Sequence, residues 1–162
     1  MTATPRTALV TGAARGIGAA IATELASNGH RVAVADILDD VAAETATAIG
    51  GIAVHLDVTD TESVRAAVAA AEDRLGPLEI LVNNAGWDEF KPFLQTDEEL
   101  WQKIVEINYM GCLRCCRAVV SSSSFRLPHD RRPRTAGSVY RRGIYIHGLK
   151  SASTSGLRMP LC

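Results

Sequence analysis

Gly12, Gly16 and Gly18 stand between the apolar run Thr7-Ala8-Leu9-Val10-Thr11 and a segment in which Ile17, Ile21, Ala22, Leu25 and Ala26 recur at helical spacing. A glycine turn in that context does its chemistry with backbone. Gly12 permits the tight turn, Gly16 lets the main chain approach a pyrophosphate, and Gly18 lets helix and strand pack closely. The phosphates would then meet the positive end of the helix dipole. Asp36, 18 residues beyond Gly18, ends a second apolar run, Arg31 to Asp36. A carboxylate there accepts hydrogen bonds from a ribose 2′-hydroxyl and repels a 2′-phosphate. Ile37 and Leu38 follow it and offer no guanidinium to such a phosphate, so the expected cofactor is NAD. Arg15, inside the turn, pulls mildly the other way.

These residues need strands and helices in alternation to position them, and the chain supplies that. Residues 39–49 read as an Ala-rich helix stopped by Gly50-Gly51, and Ile52 to Leu56 as a third strand. Thr59 or Asp60 is the expected N-cap of a helix running to Leu75, where Gly76-Pro77 ends it. Leu78 to Val82 reads as a fourth strand, followed by Asn83-Asn84-Ala85-Gly86, a looser stretch from Trp87 to Leu94, and a helical region from Thr96 to Val120 that carries a break. Short connections between alternating elements force right-handed crossovers. The expected fold is therefore α/β, an incomplete doubly wound parallel sheet of the Rossmann type in strand order 3-2-1-4. Its fourth strand is expected to have an open edge.

Four motifs in this order carry a resemblance. Thr11-Gly12-x-x-x-Gly16-Ile17-Gly18, Asp57-Val58, Asn83-Asn84-Ala85-Gly86 and Asn108 together resemble the short-chain dehydrogenase/reductase family. The resemblance implies that Asp57 and Val58 contact the adenine. It implies that Asn84, Ala85 and Gly86 line the cofactor and brace the sheet. Asn108 would hold a proton-relay water beside a catalytic lysine. The stretch from Asn84 to Phe93 is similar to members acting on 3-hydroxyacyl thioesters, although Trp87, Phe90 and Phe93 read equally well as loop packing. The implied activity is hydride transfer to or from a small-molecule alcohol or ketone, or an acyl thioester. The alternative is a catalytically inactive dinucleotide-binding fragment. A homo-oligomer is typical of the family but is not carried over to this chain, whose second part departs from the pattern.

That departure begins near residue 120. Residues 1–120 carry 9 basic and 17 acidic residues, and residues 121–162 carry 8 and 1. Alanine falls from 22 to 2 across the same point, while serine rises from 2 to 8. The reading is an NAD-binding domain over 1–120 and an irregular, basic Ser/Arg-rich tail over 121–162, expected to be disordered. A change of reading frame near residue 120 is the simplest origin. The family's chemistry needs a Ser, a Tyr and a Lys four residues after that Tyr, so that both lie on one helix face. Tyr145 and Lys150 are five apart, about 140° off that face, and Ser138 lies seven before Tyr145. This near-match reads as coincidence.

The tail arginines lack the aromatic interleaving or amphipathic face that nucleic-acid or membrane-surface binding needs, so neither partner is expected. No run approaches a membrane span, and Met1 to Arg6 shows no signal pattern. Cys112-x-x-Cys115 has no second ligand pair at zinc spacing, so no metal is expected. Cys112, Cys115 and Cys116 crowd one helix, which suits a reducing compartment, and a cytoplasmic location is expected.

Overall fold

In the computed structural model, which describes residues 4–122 and the backbone of 143–146, the apolar runs become parallel strands. They are β1 (Thr7–Thr11), β2 (Arg31–Asp36), β3 (Ile52–His55) and β4 (Ile80–Asn83). Between them lie α1 (Gly16–Ser27), α2 (Asp39–Ile49) and α3 (Thr61–Leu75). The strands pair in the expected order, β3-β2-β1-β4. Alternate strand residues face opposite layers. Ala8, Val10, Val32 and Val34 pack with Ala22 of α1 and with Ala42 and Ala46 of α2. Leu9, Ala33, Ala35 and Leu81 face Val64 and Val68 of α3 on the other side. Alanine dominates the helix faces because a small side chain brings helix axes close to the sheet.

Local boundaries follow competing hydrogen bonds. β4 begins two residues later than the apolar run, because the Leu78 N–H donates to Glu72 Oε1 at 3.2 Å. Of the two candidate N-caps for α3, Asp60 serves, its carboxylate accepting from the Glu62 N–H at 2.9 Å. The break expected in the long helix is a π segment. α4 (Glu98–Val105) is capped by Asp97 and runs into π-helical Glu106–Met110, which continues as α5 (Gly111–Ser121).

One expectation is corrected. The outer edge of β4 is paired, because β5 (Gly143–Ile146) lies parallel to it, with Ile80 opposite Gly143 and Asn83 opposite Ile146. Gly-Ile-Tyr-Ile is short but rich in residues that suit a pleated sheet, and β4 presents a row of backbone donors and acceptors for it to meet. Tyr145 is thus a strand residue opposite Val82. Ser138, Lys150, Cys162 and the rest of the tail reading lie outside the described residues. Among the described residues no helix is long and apolar enough to cross a membrane.

Candidate functional site

The sheet order reverses direction between β1 and β4, and the loops after these two strands meet there, at the position where open α/β sheets bind ligands. Their meeting point is Thr11, whose side chain carries no role in the motif and is identified only by its contacts. Its Oγ1 accepts the N–H groups of Asn84 and Ala85, each at 3.0 Å, and donates to the Val82 carbonyl at 3.4 Å. Asn84 returns the contact, its Nδ2 donating to the carbonyls of Thr11 at 3.0 Å and Gly12 at 2.9 Å. The two loops are thereby locked as one surface.

The glycines divide the work. A Cβ at Gly18 would stand 2.2 Å from the Gly12 carbonyl oxygen, and one at Gly12 would stand 2.7 Å from Ala85 Cα. Both are required by packing. Gly16 shares the left-handed φ of Gly12 (+61° and +62°), but a Cβ there would meet open space. Its side faces outward, so main-chain conformation rather than crowding demands glycine. The α1 N-terminus starts here with no side-chain cap and no acidic residue in its first turn, unlike α3 and α4, which Asp60 and Asp97 cap. Its N–H groups and dipole are left for an anion. Arg15 and Ile17 flank this end, both exposed.

Asp36 leaves the end of β2 with its carboxylate held on both oxygens. The Ala14 N–H donates to Oδ2 at 2.9 Å and the Leu38 N–H to Oδ1 at 3.1 Å. The acid therefore stabilises the glycine turn while each oxygen retains a lone pair for another donor. Asp57 is organised likewise, accepting at Oδ1 from the Thr59 hydroxyl at 2.7 Å and its N–H at 2.8 Å. The Thr59 hydroxyl, then its N–H, hold the carboxyl below the ordinary carboxylate range, against some desolvation. The Val58 side chain is buried, and Gly111 at the start of α5 approaches it so closely that a Cβ would stand 2.8 Å from Val58 Cβ. Only the backbone of Val58 is therefore available to a ligand.

Asn108 sits in the π segment and clasps the residue that follows Gly86. Its Oδ1 accepts the Trp87 N–H at 2.8 Å and its Nδ2 donates to the Trp87 carbonyl at 2.9 Å. π bulges inside helices frequently mark functional positions, and here the bulge turns Asn108 toward the Asn84–Gly86 loop. The three loop aromatics do not form one cluster. Lys103 Nζ lies 3.8 Å over the Trp87 ring, Phe93 stacks on Trp101 at 5.8 Å, and Phe90 is 97% exposed. Asn83 is buried, its Nδ2 donating to Cys116 Sγ at 3.4 Å, while Oδ1 finds no partner among the described residues. Cys115 is wholly buried in the core, and burial pushes its thiol up to about 12. Among the described residues no group of His, Cys, Asp or Glu could hold a metal ion.

This arrangement has relatives. Residues 6–125 match the family of short chain dehydrogenases. The chain is 42% identical over 126 residues to trans-4-hydroxycyclohexanecarboxylate dehydrogenase of Sinomonas cyclohexanicum, covering 71% of this chain and 49% of that protein. It is 36% identical over 154 residues to galactitol 2-dehydrogenase of Agrobacterium fabrum, covering 94% and 60%. A solved structure of an actinorhodin polyketide ketoreductase with NADPH matches with a TM-score of 0.69 at 34% identity, covering 72% of this chain and 47% of that one. The chain spans about half the length of the curated relatives it matches first. With the glycine turn, the Asn84 clasp and Asn108 in one connected site, the chain belongs to the short-chain dehydrogenase family.

Proposed function

We propose that residues 1–120 form the NAD-binding domain of an oxidoreductase that interconverts a small-molecule alcohol and its carbonyl compound. The family binds nicotinamide dinucleotides and acts on substrates of that kind. The observation that carries it is the uncapped N-terminus of α1 beneath the open, left-handed Gly16. A pyrophosphate fits such an end, because fixed N–H groups and the helix dipole replace its hydration without a side chain. In this reading Gly12, Arg15, Gly16, Ile17 and Gly18 hold the pyrophosphate. Asp36 receives the adenosine ribose, while the Asp57 carboxylate and the Val58 backbone receive the adenine. Asn84, Ala85 and Gly86 line the nicotinamide side.

The bound nicotinamide would supply the hydride acceptor or donor. Asn108 would orient a water with the N–H and lone pair that Trp87 leaves free, which keeps a proton path in place. Asp36 favours NAD because a fixed carboxylate repels a 2′-phosphate, and this outweighs the exposed Arg15 opposite. Acyl thioesters are the substrate class favoured by the likeness of the Asn84–Phe93 stretch. The free thiols of α5 support a reducing, cytoplasmic setting.

The test is titration with NADH and NADPH, read by quenching of Trp87 and Trp101, followed by NADH turnover with a 3-oxoacyl thioester and with simple ketones. Saturable binding with NADH tighter than NADPH is expected, together with turnover of at least one carbonyl substrate. Failure to bind either dinucleotide would overturn the reading. Binding without any turnover would leave a dinucleotide-binding fragment in place of the enzyme. In that second reading Tyr145 is a strand residue of β5 and takes no part in proton transfer.

A further inference from the structure

Arg114 belongs to none of the motifs, yet it touches both ends of the site. Its Nη1 donates to the Val58 carbonyl at 3.3 Å, and its Nη2 donates to the Glu106 carboxylate. Glu106 is the first residue of the π segment that carries Asn108. Val58 belongs to the loop that carries Asp57. The side chain of Arg114 is 19% exposed, so its pair with Glu106 is shielded on one flank and the guanidinium fork is held in a single direction. Gly111, one turn earlier on α5, already brings the helix into backbone contact range of Val58, at 3.3 Å from the Val58 oxygen for a Cβ placed there. The loop after β3 therefore rests on α5, and one side chain fastens it to the π segment.

We propose that Arg114 is a positioning residue that fixes the Asp57-Val58 loop to the π segment, so that the adenine end of the site and Asn108 are set by one guanidinium. This rests on the dinucleotide reading for its ligand but not for its mechanical part. A fork with two partners can couple them because each loses its direction when the fork goes. A lysine, with a point charge on a flexible stem, can serve one partner at a time.

Two measurements on the full chain separate the parts. Hydrogen exchange in the unliganded protein should quicken in Arg114→Met both at residues 57–59 and at residues 105–110, and Arg114→Lys should restore at most one of the two. Glu106→Gln should quicken the π segment more than the loop. Titration with adenosine monophosphate and with nicotinamide mononucleotide then reads the ligand side. Arg114→Met should weaken the adenine half roughly tenfold, the low end for one charge-assisted hydrogen bond, and the nicotinamide half less, because Asn108 reaches that half only through its clasp on Trp87. Faster exchange in only one segment, or an adenine half that binds as tightly as before, would overturn the proposal. If the unsubstituted chain binds neither half, the dinucleotide reading falls, while the exchange result still decides whether the coupling exists.

Discussion

Replacing Thr11 with valine tests the junction on which the site is built. Valine has nearly the same shape, so the substitution removes the hydroxyl and little else. Thr11 is 1% exposed, and its Oγ1 is the acceptor for the N–H groups of both Asn84 and Ala85. Each buried donor left unpaired costs about 1–3 kcal/mol, and about 1.5 kcal/mol apiece suits loop residues that are only partly buried. The lost donation to Val82, at 3.4 Å, is long and adds little. The added methyl returns somewhat under 1 kcal/mol, so the net loss is about 2 kcal/mol. Thr11→Ser keeps the hydroxyl and loses a methyl, which costs roughly 1 kcal/mol in a packed interior. In urea, a 2 kcal/mol loss moves the midpoint by about 1 M for a protein of this size. The expected order of midpoints is unsubstituted, then serine, then valine, and dinucleotide affinity should fall with valine only. If serine proves as damaging as valine, the methyl and not the hydroxyl holds the junction, and the account of how the two loops are joined is wrong.

Other consequences can be checked in the same way. Gly18→Ala should destabilise by about 3 kcal/mol or more, because its Cβ meets backbone at 2.2 Å, whereas Gly16→Ala should cost about 1 kcal/mol from its left-handed φ alone; urea midpoints will rank them. Asp36→Asn should reduce the preference for NADH over NADPH about tenfold, roughly 1.4 kcal/mol, as paired dissociation constants would show. It should also loosen the glycine turn, since an amide cannot accept from both Ala14 and Leu38 through separate oxygens. The Asp57 carboxyl is held below its ordinary value of 3.8 in the folded chain. Its contribution is therefore complete above that pH and is lost as pH falls through the lower folded value. Thr59→Val should flatten this part of the acid limb in a stability-versus-pH series, and an unchanged limb would show that Thr59 is not the cause.

The local periods and punctuation were sufficient for much of the fold. Glycine spacing, apolar runs of strand length and Gly50-Gly51 or Gly76-Pro77 stops are properties of neighbouring residues, so α2 and α3 end where those signals stand. Asp36 is legible from its place at the end of the second apolar run, 18 residues beyond Gly18, and the break in the long helix as a region though not as a π bulge. What could not be read locally is whatever depends on pairs far apart in the chain. Thr11 gains its role only because β4 docks beside β1 and delivers two N–H groups to its hydroxyl. Residues 143–146 become a strand because β4 presents an edge for them, against a surrounding composition rich in serine and arginine. Asn108 was named by motif, but its clasp on Trp87 needs the π bulge to turn it. Arg114 carries no signature, since a guanidinium's partners are chosen by where α5 lies, not by its neighbours. The sequence by itself determined the turn that can take a pyrophosphate, because backbone freedom is a local property. Tertiary structure decided which side chains lock that turn to the rest of the site, because a hydrogen bond across 50 or 70 residues exists only once the sheet has formed.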